Sequence, residues 1–174
     1  VAKVLLTGRP GIGKTTIIKS AVSELSRKGV KANGFYTQEI KEGEIERKGF
    51  KLVTLDGEEV ILAHRDMRTP FRVGKYSVSL DGLERVGVTA VLDGLKRDLV
   101  VIDEIGRMEL YSDKFRDAVT RALDAPNSLL GTIMSKPHPF ADRIKERKGV
   151  KVIEVTFSNR ARLVEEIVDL SIRG

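Results

Sequence analysis

Short apolar runs and amphipathic stretches alternate along this chain, and the alternation lays out most of its elements. Val1-Ala2-Lys3-Val4-Leu5-Leu6 is the apolar, β-branched run of a buried parallel strand. Ile17, Ile18, Ala21, Val22 and Leu25 then recur at helical spacing, and Gly29 stands where a C-cap belongs. Between residues 34 and 80 the pattern changes to short strands and turns. Phe35-Tyr36-Thr37-Gln38-Glu39-Ile40 leads to a turn at Gly43. Residues 50–55 meet Asp56-Gly57, a hairpin signal, before Val60-Ile61-Leu62. Residues 64–70 are polar and read as a surface loop, and residues 76–80 as another strand.

The later half alternates more regularly. A helix is expected over 83–96, with Gly87 and Gly94 weakening it, followed by a buried strand at Leu99-Val100-Val101-Ile102. A helix over 114–123, capped by Ser112, precedes a core strand at 129–134. A short helix over 140–148, a strand at 150–155 and a helix over 159–172 close the chain. The last helix offers Ala161, Val164, Ile167, Val168 and Ile172 as its apolar side. The pattern predicts an α/β fold: a mainly parallel sheet with helices on both faces, and an antiparallel β insertion at about 34–80. No repeat, linker or low-complexity stretch divides residues 1–174, so one domain is expected.

Composition narrows the classes. Lys and Arg number 31 against 25 Asp and Glu, a net charge of +6. That balance suits an anionic nucleotide as well as nucleic acid. The charges are dispersed, however, and there is no recognition-helix, zinc-finger or aromatic RNA-binding signature to support nucleic acid. No run approaches a membrane span, and the chain opens on a strand rather than a signal peptide. Cys is absent, which excludes disulfides, thiolate metal sites and Cys nucleophiles. A cytoplasmic protein is expected.

The chemistry enters at Gly8-Arg9-Pro10-Gly11-Ile12-Gly13-Lys14-Thr15, a full match to the phosphate-loop (Walker A) pattern G-x-x-x-x-G-K-[ST]. Its glycines permit backbone conformations in which successive N–H groups face phosphate oxygens. Lys14 is expected to neutralise the β- and γ-phosphates, and the Thr15 hydroxyl to bind Mg²⁺. Thr16 follows at the helix start, within reach of the phosphates. The preceding strand and following helix are the setting the motif requires. Arg9 is read either as a phosphate contact or as a surface ion-pair partner.

Such a loop needs an acid for Mg²⁺ from a neighbouring strand. Val100-Val101-Ile102-Asp103 ends a buried strand in that way, so Asp103 is expected to hold the metal (Walker B) and Glu104 to orient and deprotonate an attacking water. Neither His64 nor His138 sits in a metal-ligand pattern.

The run Asp103-Glu104-Ile105-Gly106-Arg107-Met108-Glu109-Leu110 resembles the D-E-I-G-K-M-E-L block of the THEP-type nucleoside-triphosphatases, a P-loop family that includes the cancer-related nucleoside-triphosphatase. Gly34-Phe35-Tyr36-Thr37-Gln38-Glu39, Gly49-Phe50, Thr54-Leu55-Asp56-Gly57 and Val73-Gly74-Lys75-Tyr76 match further blocks. So do Leu130-Gly131-Thr132-Ile133 and Thr156-Phe157-Ser158-Asn159-Arg160, so the resemblance spans nearly the whole chain. It implies a three-layer, RecA-like P-loop fold and Mg²⁺-dependent hydrolysis of ATP, GTP and other nucleoside triphosphates. By position it implies phosphate binding by residues 8–15, catalysis by Lys14 and Glu104, and Mg²⁺ at Thr15 and Asp103. The segment Val100, Val101, Ile102, Asp103, Glu104, Ile105, Gly106 and Arg107 is expected to pass beside the nucleotide. Asn159 and Arg160 match a position near the base or ribose, or else form a helix N-cap and a surface Arg. One departure is Arg107, where the family has Lys.

Two alternatives share these parts. A kinase would pass the γ-phosphate to a small-molecule or nucleic-acid hydroxyl, with Arg143, Lys145, Arg147 and Lys148 as a lid; they read better as a helix's wet face. The pattern shows no obvious acceptor site. A switch protein would use slow hydrolysis to reset a partner interaction. Guanine reading of the N-K-x-D type is unsupported, since the nearest fragment is Ser135-Lys136-Pro137-His138.

Overall fold

The computed structural model describes residues 1–173, which build one nine-stranded mixed sheet covered by helices. Its strands are β1 (Lys3–Thr7), β2 (Ala32–Glu42), β3 (Glu46–Thr54), β4 (Glu59–His64), β5 (Arg72–Val73), β6 (Tyr76–Val78), β7 (Leu99–Ile105), β8 (Ser128–Ile133) and β9 (Val150–Glu154). Their order across the sheet is β5-β6-β4-β3-β2-β7-β8-β1-β9. From β2 to β9 all neighbours run parallel; from β2 out to β5 they run antiparallel.

The long strand β2 joins the halves. Ala32 to Phe35 pair parallel with Leu99 to Ile102 of β7, while Phe35 onward pairs antiparallel with β3. The inserted strands therefore extend the main sheet rather than forming a separate patch, and their faces continue the two core layers.

Those layers follow from the period of two in a strand. Leu5, Val100 and Ile102 point to one face, where Phe35, Leu52, Leu83 and Phe115 pack. Val4, Leu6, Leu99 and Val101 point to the other, against Ile18, Leu25, Leu163 and Ile167. Because both faces are covered, β7 is apolar at every position up to Asp103.

The helices are α1 (Lys14–Arg27), α2 (Leu80–Gly82), α3 (Thr89–Gly94), α4 (Asp113–Asp124), α5 (Pro139–Lys145) and α6 (Arg160–Arg173). A π-helical segment, Leu83–Val88, joins α2 to α3 without a break in helical backbone. This helix starts earlier than the apolar period predicts. The Ser79 hydroxyl accepts from the Gly82 N–H and caps it there, so Leu80 begins a helix instead of ending a strand. Ser112 caps α4 as expected, accepting from the Phe115 N–H. On α6 the buried side is Leu163, Ile167 and Val168, whereas Ala161 and Ile172 face solvent. No helix of the described residues is long and apolar enough to cross a membrane.

Candidate functional site

The phosphate-loop sequence forms the turn between β1 and α1. Gly8, Gly11 and Gly13 all take positive φ, at 145°, 79° and 108°. A side chain is strained at each, so the glycines are what let the loop fold back on itself. Ile12 pins the loop by burying its side chain in the core. No acidic side chain occupies the first turn of α1, so its helix dipole meets an incoming anion unopposed. Lys14 Nζ donates to the carbonyls of Gly8 at 2.7 Å and Arg9 at 3.1 Å, which holds the ammonium over the loop.

Asp103 lies at the end of β7, only 3% exposed. Three threonines from three elements hold it. Thr15 Oγ1 of α1 donates to Oδ2 at 2.8 Å, Thr132 Oγ1 of β8 donates to Oδ1 at 2.7 Å, and Thr37 Oγ1 of β2 donates to its backbone carbonyl. Burial pushes the Asp103 carboxyl above its ordinary range, and the two hydroxyl bonds draw it back part way.

The next residue, Glu104, is joined by a cis peptide bond and faces the same cavity as Lys14. Burial, then the Asp103 charge, push its carboxyl up to about 7, and Lys14 acts in the opposite sense. Glu109, at the 3₁₀ turn Glu109–Tyr111, is buried. Its carboxyl is pushed well above the usual range by burial first and by Glu104 second. Gly106 lies between these acids: a Cβ there would stand 2.6 Å from Glu104 Oε1 and 3.0 Å from Glu109 Oε2. Only a glycine leaves both carboxyls where they are.

Lys14, Thr15, Asp103, Glu104 and Glu109 line one cavity of about 680 Å³. Gly8, Pro10, Gly11, Gly13, Lys14, Thr15 and Thr16 of the phosphate loop line it together with Asp103, Glu104 and Arg107. The loop and the acids predicted from the sequence thus converge. Other predicted positions lie elsewhere. Val100, Val101, Ile102 and Ile105 are fully buried in the core layers, so their side chains shape the strand rather than the cavity wall. Asn159 spends its amide locally, Oδ1 accepting from the Thr156 N–H at 2.8 Å and Nδ2 donating to the Glu154 carbonyl at 2.7 Å. Arg160 Nη1 reaches the Ile12 carbonyl at 3.4 Å, so it braces the phosphate loop from behind. Arg9 and Arg160 both lie over the exposed Phe157 ring, at 4.6 and 4.8 Å. Arg147, from the basic run after α5, pairs with Asp124.

Sequence reasoning missed much of the rest of the cavity lining. Phe50, Leu62, Val73, Met108 and Met134 give it apolar surface, and Thr37, Glu39, Glu109, Ser135 and Lys136 polar surface. The apolar residues are scattered over five segments, and only the fold assembles them. The role of Thr132 was equally silent, although its hydroxyl is the sole polar group in an apolar strand apart from Ser128.

A family model described as NTPase matches residues 3–168. The nucleoside-triphosphatase THEP1 of Thermotoga maritima is 47% identical over 169 residues, covering 97% of this chain and 94% of that protein. The cancer-related nucleoside-triphosphatase of Homo sapiens is 40% identical over 179 residues, covering 95% and 94%. The crystal structure of THEP1 from Aquifex aeolicus superposes with a TM-score of 0.85 at 32% identity, over 97% of this chain and 98% of that one. The matched span takes in the phosphate loop, the Asp103 strand end and the antiparallel extension alike. The chain belongs to the THEP-type nucleoside-triphosphatase family.

Proposed function

We propose that this protein hydrolyses nucleoside 5′-triphosphates to the diphosphate and phosphate, with Mg²⁺ and with little regard for the base. The observation that carries the reading is the 2.8 Å bond between Thr15 and Asp103, which ties the phosphate loop to the acidic strand end beside Glu104. Names borne by relatives of high identity, such as the THEP1 of Thermotoga maritima, support triphosphate cleavage.

The donor set fits Mg²⁺. A hydroxyl and a buried carboxylate are hard oxygen ligands, and no group of three or more His, Cys, Asp or Glu among the described residues is placed to hold a metal. That suits an ion that takes one or two protein ligands and completes its shell with phosphate oxygens and water. Thr15 and Asp103 would hold it, and when bound it would neutralise charge on the β- and γ-phosphates.

The chain's own residues do the rest. Loop N–H groups and the α1 N-terminus bind the phosphates, and Lys14 leaves its carbonyl partners to stabilise the γ-phosphoryl oxygens in the transition state. Glu104 orients a water in line with the γ-phosphorus and takes its proton. Base tolerance is supported by the absence of an N-K-x-D guanine reader and by Asn159 having its amide bonded to its own turn. We place the protein in the cytoplasm, a reading supported by a sequence without Cys.

A phosphate-release screen with ATP, GTP, CTP and UTP, with Mg²⁺ or EDTA, tests this. Release from all four, lost in EDTA, is expected. Release from one base alone contradicts base tolerance, and no release from any contradicts hydrolysis.

A further inference from the structure

A phosphate entering the cavity comes up against carboxyls. Asp103, Glu104 and Glu109 all line it. Glu39 lines it too, but Arg47 and Lys41 pair with that carboxylate at 2.6 and 3.5 Å. Beside the first three, a terminal phosphate meets acceptor oxygens where it needs donors and positive charge. Lys14 supplies one cation, and the lining holds two more, Arg107 and Lys136. Both are exposed, and neither side chain makes a hydrogen bond or ion pair with the described residues. Each is free to meet a ligand.

The two cations come from different strands. Arg107 follows β7, the strand that carries Asp103 and Glu104. Lys136 follows β8, which lies between β7 and β1 and runs parallel to both. The three strands end on one edge of the sheet, so the segment leaving β8 emerges over the gap between the acids and the phosphate loop. It is held there. The Met134 N–H donates to the Ile105 carbonyl at 3.0 Å, fastening the exit of β8 to the end of β7. At the start of α5 the His138 N–H donates to Asp142 Oδ2 at 3.2 Å, and His138 Nδ1 accepts from the Phe140 N–H. Pro137 restricts the backbone between these ties. Lys136 thus extends its side chain from a backbone pinned on both sides.

We propose that Lys136 is a second phosphate-binding cation, whose ammonium bonds the γ-phosphoryl oxygens and sets a preference for triphosphate over diphosphate. Lys14 serves the β- and γ-phosphates together from within the loop, so both nucleotides use it. Lys136 stands beyond the loop, toward the acids, where a diphosphate has no group to offer. Its ammonium carries three donors and no acceptor, which suits the terminal phosphoryl oxygens. Positive charge from β8 also offsets the carboxyls that the same phosphate must pass.

This inference rests on the phosphate-loop reading above, and separate readouts keep the two apart. Binding of the β,γ-imido analogue of ATP and of ADP, each with Mg²⁺, is measured for the full chain, Lys136→Ala, Lys136→Arg and Arg107→Ala. Lys136→Ala should weaken the triphosphate analogue by about tenfold or more, the worth of one charge-assisted hydrogen bond, and change ADP affinity by less than about twofold. Lys136→Arg should keep most of the parent's preference. Because Lys136 is exposed, its Ala variant should melt with the parent. Equal losses for both nucleotides, or no loss for either, overturn the assignment. So does a preference lost in Arg107→Ala and kept in Lys136→Ala, which gives the contact to Arg107. A parent that binds neither nucleotide overturns the phosphate-loop reading and Lys136 with it. Phosphate release from ATP reports hydrolysis by itself: its absence overturns that reading, while the binding comparison still decides Lys136.

Discussion

Thr15 and Asp103 stand 88 positions apart in the chain, yet the hydroxyl of one donates to the carboxylate of the other at 2.8 Å. The bond joins the first turn of α1 to the end of β7 across the intervening strand β8, whose Thr132 holds the second carboxylate oxygen at 2.7 Å. Asp103 is thus aimed before any ligand arrives. Thr15→Ala should lower Mg²⁺-supported turnover by about 10–100-fold, as losing an oriented hydroxyl at a metal site does, while Thr15→Ser retains most of it. Titration of nucleotide binding with and without Mg²⁺ checks this: the Ala variant should lose the difference between the two conditions.

Glu104 is assigned the water. Glu104→Gln preserves shape but removes the proton acceptor, so Mg²⁺–nucleotide binding should persist while turnover falls about 10²–10⁴-fold. Single-turnover phosphate release alongside equilibrium binding measures both. Unchanged turnover would take the role away from Glu104.

Gly106 offers a subtler perturbation. A methyl group there collides with the free end of Glu104 and with Glu109, not with backbone. The Gly106→Ala protein should fold with a melting temperature within a few degrees of the parent, because the obstructing carboxylate can swing aside. Its kcat should nevertheless drop by about tenfold or more, since a base moved by an ångström no longer lines up the water. Equal losses in stability and kcat would point to a packing effect instead.

The acid cluster also sets a pH dependence for the ligand-free protein. Asp103, Glu104 and Glu109 are all pushed upward, Glu104 from 4.5 to about 7. The folded chain therefore binds their protons more tightly than the unfolded chain does. Their contribution to stability is full below about pH 4.5 and falls as pH rises toward 7, with Glu104 contributing at most roughly 3 kcal/mol. Denaturant midpoints measured from about pH 5 to pH 8 should decline, and Glu104→Gln should flatten part of the decline. Midpoints that rise over this window would contradict the assignment.

The order of strands and helices in the parallel half was legible because each element is long enough to show its own period. Val4 against Leu5, and Val100 against Val101, alternate between two covered faces, and α1 carries Ile17, Ile18, Ala21 and Leu25 on its buried side. The phosphate loop was legible for a different reason. Its function resides in backbone conformation, and local glycine spacing encodes that directly. Shorter features escaped: β5 has two residues, too few for a period, and the helix at Leu80 depends on one capping hydroxyl.

By itself, then, the sequence determined a P-loop, an acid pair at the end of a buried strand, and a family. The first two are local patterns, each read within a dozen residues, and the family follows from a series of such short blocks in order along the chain. Tertiary structure alone decided which oxygens meet. It brought Thr37, Thr132 and Thr15 onto Asp103, turned Asn159 into its own loop, and gathered Phe50, Leu62, Val73, Met108 and Met134 onto the cavity that Glu104 lines. Such meetings are set by strand order and by the pairing of β2 with two partners of opposite sense. Their residues are separated by tens of positions, so no local period records that they will touch.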